Sequence, residues 1–369
     1  MATYAPPPHY GEITFFELIP LAFRFIGLAI NLVIKAFLYP FSTTHFTLKR
    51  VLWRTFVQTI CPNSTIRQMQ WVSPNTGSLY ETYMKSLPNK PPIVHETIGA
   101  DGGSLHWVGP KTNSKVMVFI HGGGFVLPAV DGHFYMIDWW RKEAKMRYGI
   151  DFSVAVLEYS LVNFKPWPAQ LTQVAAALSH LLKQGYDPAN ITFVGDSVGG
   201  HVAVFLLAHL LHPHPSADPI KLSKPLGGVA ALSPWLAYST DTPSFKRHAA
   251  NDVMPLPALV AWSSLFQKSR TRRDDGYYFE PATAPPEWWT GLDKVANNVL
   301  LSAGGAEGML DDIVVTEKKM EMGAGRDAKV ELYVQDNACH NEALVEFACG
   351  DQPGPSANRV LSWIAEVYA

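Results

Sequence analysis

The stretch "NITFVGDSVGGHVAVFLLAHLLHP", residues 190–213, decides the fold of this chain. Its first part, 190–197, is a short apolar run with β-branched residues and reads as a strand. From Val198 onward the text is apolar at nearly every position, which suits a helix buried on all sides. Between the two stands Gly195-x-Ser197-x-Gly199, with no residues to spare for a loop. A serine at such a strand-to-helix junction is held on a sharp turn, its oxygen lifted off the end of the sheet. The flanking glycines are needed because a side chain there would collide across the turn. The helix that begins there points free N–H groups and its positive dipole end toward any oxyanion. Ser197 is therefore the candidate nucleophile.

Working outward, further strands are expected at "KVMVFI" (115–120), "SVAVLEYSL" (153–161), "LGGVAALSPW" (226–235), "NNVLLSAGG" (297–305) and "AKVELYVQD" (328–336). Helices are expected at 167–185 and 357–368. Several strands are apolar throughout rather than alternating, which fits burial on both faces. Strands alternating with helices predict an α/β fold: a mainly parallel central sheet with helices on both faces. Two regions break the alternation, residues 1–90 and 236–296. They are expected to form an N-terminal cap region and a cap insertion over a catalytic domain of 91–369.

The 369 residues are 47% hydrophobic, enough for a large packed core. A net charge of −2 argues against a nucleic-acid partner, which would need a basic face. Cys61, Cys339 and Cys349 form no CxxC pair and no zinc pattern, and fit reduced thiols in an intracellular protein. Residues 18–34, "LIPLAFRFIGLAINLVI", are almost wholly apolar, broken only by Arg24 and Asn31. The run is short for a span, and its central charge is costly in lipid. It has neither the basic leader nor the cleavage site of a signal peptide. Three arrangements fit: a helix in the membrane interface, a single span, or a buried cap helix. Lys35, Lys49, Arg50 and Arg54 follow it and no basic residue precedes it, so a span would leave the rest of the chain in the cytoplasm.

A serine hydroxyl needs a base. "YVQDNACHNEAL" places His340 in a loop after the last strand, which singles it out among thirteen histidines. His121, His201 and the "HPHP" pair read as structural. The base needs an acid to fix its tautomer. After 297–305 the chain offers Glu307, Asp311 and Asp312. Glu307 is favoured because it comes first off the strand. Asp311 is the alternative, less favoured because the Asp pair falls where a helix begins and acids there simply suit its dipole. The remaining need is a set of N–H donors for the negative charge that develops on an acyl oxygen. "VMVFIHGGGFVLPAV" (116–130) runs a strand into three glycines, and only residues without side chains let the backbone approach so closely. The amides of Gly123, Gly124 and Val198 would form that oxyanion hole, with His121 holding the loop.

"HGGGF", "LEYSL", "GDSVGGH", "SPWL" and "ACH", in this order, resemble the hormone-sensitive-lipase branch of the α/β-hydrolases over roughly residues 90–369. "SPWLAYSTDTPSF", "ND", "PPEWWTGL" and "GGAEGMLDDI" look more particularly like the fungal steryl acetyl hydrolase type and related secondary-metabolite hydrolases. The resemblance implies the nucleophile at Ser197, the base at His340, the acid at Glu307 and oxyanion donors at Gly123 and Gly124, with a helical cap. The chain departs from the family pattern in three places. Val198 replaces the usual Ala, Glu307-Gly-Met-Leu-Asp311 replaces Asp-Pro-Leu-Arg-Asp, and Asn341-Glu342 replaces Gly-Phe.

The expectation is a serine carboxylic-ester hydrolase acting on a hydrophobic acetyl or short-acyl ester, with no cofactor or metal. The same site could instead serve acyl transfer, cyclisation or condensation. A non-catalytic small-molecule receptor would lack a triad member, and both Ser197 and His340 are present.

Overall fold

The computed structural model describes residues 7–42, 46–111, 114–250 and 252–369. Asn251, the first residue of the "ND" pair, lies outside them.

Four helices come first: α1 (Phe15–Leu38), α2 (Leu48–Ile60), α3 (Ile66–Val72) and α4 (Thr76–Ser86). Each starts where a polar side chain can accept a free N–H of the first turn: Thr14, Thr47, Thr65 and Asn75. The chain then runs β1 (His95–Ile98), β2 (Gly103–Val108), β3 (Val116–Ile120), α5 (Asp131–Tyr148), β4 (Ser153–Glu158) and α6 (Ala169–Lys183). β5 (Ile191–Asp196), α7 (Val198–Leu211) and β6 (Leu226–Leu232) follow. Next come α8 (Pro243–His248), α9 (Leu256–Lys268), α10 (Gly276–Phe279), β7 (Ala296–Gly304) and α11 (Leu310–Gly323). β8 (Lys329–Gln335), α12 (Glu342–Cys349) and α13 (Pro355–Tyr368) complete it.

The eight strands form one sheet in the order β1-β2-β4-β3-β5-β6-β7-β8. From β4 to β8 all neighbours are parallel, while β1 and β2 are antiparallel additions at one edge. The strand period of two sorts the side chains. On β3, Val116, Val118 and Ile120 join the core that holds α6 and α7 residues, whereas Met117 and Phe119 join the core that holds α5 and α13 residues. Both faces are covered, which is why β3, β5 and β6 are apolar without alternation. α7 is buried from Val198 to His209, and each of its Val, Leu and Phe side chains contributes about 1.5–3 kcal/mol by leaving water.

The six strands read from the sequence are all present, five trimmed by one to three residues at their ends and the one expected at 297–305 shifted by one residue toward the N-terminus. β1, β2 and α5 were not expected. β1 and β2 are short and carry His95, Glu96, Ser104 and His106, so no apolar run marks them. α5 is buried on several sides, which blurs its helical period, although Gly149 in the left-handed region closes it in the usual way. Because the parallel strands share one direction, the loops after β3, β5, β7 and β8 meet at one edge of the sheet. That edge is where an open α/β sheet forms its crevice.

Candidate active site

Ser197 follows β5 directly and has φ 52°, ψ −120°. A non-glycine residue in this region costs about 1–3 kcal/mol, which the surrounding structure must hold in place. It does so by backbone bonds on both sides: Ser197 N–H donates to Leu232 O at 2.8 Å, and Trp235 N–H to Ser197 O at 3.2 Å. A Cβ on Gly199 would lie 2.0 Å from Ile120 O, so the turn closes only with glycine there.

His340 lies in the β8–α12 loop, with its Nε2 3.0 Å from Ser197 Oγ. On its other side, Nδ1 is 3.4 Å from Glu307 Oε2. That is ion-pair range and longer than a good N–H···O bond, a slack common in free serine enzymes. Glu307 is fully buried in the loop after β7, and its Oε2 accepts the Ser233 hydroxyl at 2.7 Å. Burial holds the Glu307 carboxyl above the usual range, His340 acting in the opposite sense. For His340 burial, the largest influence, favours the neutral ring, but the Glu307 carboxylate together with the charges of Asp252 and Asp196 outweighs it and the net shift is upward. The pair thus sits in a dry environment in which Glu307 is the nearest of the carboxylates that favour the imidazolium. Asp311, the alternative acid, is occupied elsewhere: it opens α11 and accepts the Ser244 N–H at 2.8 Å.

The glycine loop lies across from Ser197. Gly123 has φ +113° and Gly124 φ +62°. A Cβ on Gly123 would lie 2.4 Å from Leu127 O, and one on Gly124 2.2 Å from the Trp262 ring. Val198 is the first residue of α7, so its N–H has no intrahelical acceptor. His121 donates from Nδ1 to Gly122 O at 2.7 Å and stacks on Tyr159. Burial lowers its pKa to about 4, so it stays neutral. His201, His212 and His214 contact Tyr278 O, Trp288 O and Asp275.

Two acids were not singled out for a role from the sequence. Asp196, one residue before Ser197, accepts from Gly122 N–H at 2.9 Å and from Asn341 Nδ2 at 2.8 Å, with His133 Nε2 at 3.1 Å. It thereby ties the glycine loop, α5 and the residue after His340 to the nucleophile turn. Asp252, seen in the sequence only as part of "ND", accepts from His340 N–H at 2.9 Å and Gly308 N–H at 3.1 Å. The adjacency of Asp196 to Ser197 was the one available signal. The partners lie 56 to 145 positions away, and spacing says nothing about them.

Ser197, His340, Gly123 and Gly124 open into a cavity of about 190 Å³. α2 supplies Trp53, Phe56 and Ile60 to its wall, and α9 supplies Leu259 and Trp262. The tryptophans of "PPEWW", expected in the cap, do not line it. Trp288 stacks on His212 and Trp289 is buried against Gly323. Among the described residues, no group of three or more His, Cys, Asp or Glu side chains could hold a metal.

A strained serine between a parallel strand and a buried helix, with a histidine and a glutamate facing it from the loops after the last two strands, is the arrangement of a hydrolase-type crevice. The sequence matches the alpha/beta hydrolase fold family over residues 117–343, and the chain belongs to that family. It is 26% identical to an acetyl-hydrolase of Streptomyces hygroscopicus over 41% of this chain and 46% of the relative. It is 28% identical to carboxylesterase NlhH of Mycobacterium tuberculosis over 46% of this chain and 53% of the relative. These matches span about half the length of each relative. An esterase of Acinetobacter venetianus is 23% identical over 85% of this chain and 96% of its own length. Among solved structures, an esterase from the bacterial hormone-sensitive lipase family shares the fold at 22% identity. It has a TM-score of 0.64, and the match covers 88% of this chain and 98% of that one. The likeness drawn from the sequence motifs holds at the level of family and fold.

Proposed function

We propose that the chain is a serine carboxylic-ester hydrolase. The observation that carries this reading is the contact of Ser197 Oγ with His340 Nε2 at 3.0 Å, with Glu307 behind the ring. Ser197 Oγ attacks the ester carbonyl carbon while His340 Nε2 takes its proton. The oxyanion forms toward the N–H groups of Gly123, Gly124 and Val198. The C–O bond to the alcohol then breaks, and His340 returns the proton to the departing oxygen. Water attacks the acyl-enzyme by the same route and releases the acid. Glu307 holds the ring and stabilises its charged form.

The substrate we propose is a hydrophobic acetyl or short-acyl ester, of sterol or secondary-metabolite type. The cavity, about 190 Å³, is below the roughly 300 Å³ at which pockets enclose drug-sized ligands. That size suits a small acyl group, with a bulky apolar alcohol resting against Trp53 and Phe56. The names of the acetyl-hydrolase and carboxylesterase relatives point the same way.

The test is fluorophosphonate labelling read by intact mass, followed by turnover of p-nitrophenyl acetate and p-nitrophenyl decanoate. Labelling confined to Ser197, lost in Ser197→Ala and His340→Ala, with the acetate turned over faster, is the expected result. An unlabelled, folded protein that turns over neither ester would overturn the reading.

A further inference from the structure

Helix α1 carries its polarity inside out. Glu17, Arg24 and Asn31 recur every seven residues, and with Leu21 and Leu28 they form the stripe that faces the protein. Arg24 Nη1 donates to Gln68 Oε1 at 2.7 Å, and Gln68 Nε2 donates to Glu17 O at 2.6 Å. Leu21 and Leu28 are buried beside them. The opposite face is Phe16, Ile19, Phe23, Ile26, Ile30 and Phe37, spaced by three, four or seven residues as a helix face requires. All six are exposed, Phe16 by 82% and Phe37 by 73%, and no charged residue interrupts them. A surface helix in water shows the reverse arrangement. At 1.5 Å per residue the 24-residue helix lays this face over about 36 Å, far beyond the scattered apolar exposure of an ordinary surface.

Two neighbouring features say what covers it. Beside the C-terminal half of α1, a groove between α1 and α2 is lined by Lys35 and Arg54 together with Asn31, Tyr39 and Gln58 and, among the described residues, by no acid. And α2, which packs on α1, also supplies Trp53, Phe56 and Ile60 to the cavity wall above Ser197, with Phe56 itself partly exposed. An apolar face flanked by a cationic, acid-free groove matches a leaflet of hydrocarbon under anionic headgroups.

By length and composition the helix could cross a bilayer. Its inward stripe argues against that. A span would pull Arg24 from Gln68 and set an unpaired guanidinium in hydrocarbon. We propose that α1 is an in-plane docking helix: its apolar face lies in one leaflet of a phospholipid membrane, with Lys35 and Arg54 at the headgroups. The active-site cavity then sits one helix away from the lipid. The inference does not depend on the chemistry proposed for Ser197.

The full chain is floated with vesicles of phosphatidylcholine, and of equal parts phosphatidylcholine and phosphatidylserine. The wild type is expected to co-float, more strongly with phosphatidylserine. A triple variant Phe23→Asp, Ile30→Asp, Phe37→Asp is expected to lose at least about tenfold of its partitioning, with its melting temperature unchanged. An environment-sensitive fluorescent amino acid at position 16, 26 or 37, quenched by nitroxide lipids, should report one common shallow depth. A wild type that stays off the vesicles overturns the proposal, including one that forms dimers by light scattering because a second copy covers the face. So does a triple variant that still floats, or a depth profile deepest at Ile26, which would mean a span.

Discussion

One carboxylate oxygen of Asp252 accepts the backbone N–H of His340 at 2.9 Å. Its other oxygen takes the Gly308 N–H at 3.1 Å, next to Glu307. A single buried carboxylate thus spaces the loop that carries His340 from the loop that carries Glu307. Asp252→Asn keeps the shape but turns an N–H donor toward at least one of these amides. Charge-assisted bonds of this kind contribute about 1.5–3 kcal/mol, and a lower unfolding midpoint of that order is expected. Ester turnover should fall about tenfold or more in kcat with little change in KM, because ring placement and not substrate binding is disturbed. An Asn variant with wild-type kcat would show that Asp252 is ordinary packing.

The Glu307–His340 pair makes a prediction about pH. Against burial, the Glu307 carboxylate, with lesser help from Asp252 and Asp196, holds the His340 pKa above its ordinary 6.5. Only the neutral ring can accept the serine proton, so activity falls as pH drops through that raised value. The acid limb of kcat/KM is therefore expected above pH 6.5. Glu307→Gln removes the charge and leaves burial, which pulls the other way. The acid limb should move to lower pH while plateau kcat drops by about 10³–10⁴. An acid limb that stays in place would remove Glu307 from the role of orienting acid.

How legible this was differs from residue to residue. Ser197 could be read because its turn leaves a local mark, a strand, two glycines and a buried helix within a dozen residues. Glu307 could be picked out because it follows a strand with a continuous apolar run, and His340 because it follows the last strand, where Val330, Leu332 and Val334 alternate with other residues. Asp252, Ser233 and His133 could not. They act through contacts to residues dozens of positions away, and a buried Asp or Ser in a loop looks like any surface polar residue in the sequence. The glycines of the 122–124 loop could be seen, but not what requires them: Leu127 O at one and the Trp262 ring at the other. The "PPEWW" tryptophans, within the expected cap insertion, show the same limit. Composition shows that tryptophan is present, and only the fold shows that Trp53, Trp235 and Trp262 are the ones that reach the cavity.

That difference between Gly123 and Gly124 is itself testable. A methyl on Gly124 meets a side chain, Trp262, at 2.2 Å, whereas one on Gly123 meets the Leu127 carbonyl at 2.4 Å. Both substitutions also strain a positive φ. Each is expected to cost about 10²–10³ in kcat by displacing an oxyanion donor. Adding Trp262→Ala should recover part of the loss in Gly124→Ala, since the obstructing ring is gone, and none in Gly123→Ala, where the obstacle is backbone. A double-mutant cycle with equal, near-zero coupling at both positions would show that the Trp262 contact does not govern the loop.

Away from the reacting atoms, Glu346 on α12 predicts how stability varies with pH. It is buried beside Arg50, Glu342 and Asp351, and accepts the Gly354 N–H at 2.7 Å. Burial above all, with the like charges of Glu342 and Asp351, raises its pKa to about 7. The folded state therefore binds this proton more tightly than the unfolded chain. The stability it contributes is complete below about pH 4.5, declines from there to pH 7, and is absent above that. Glu346→Gln keeps an oxygen for Gly354 and carries no charge at any pH. Relative to wild type, the variant should gain nothing at pH 4.5 and become progressively more stable up to pH 7. Above that the advantage stays constant. Melting temperatures of both proteins across this range decide it: a difference that is flat, or that grows toward acid, would mean Glu346 is ionised in the fold throughout and that Arg50 dominates the cluster.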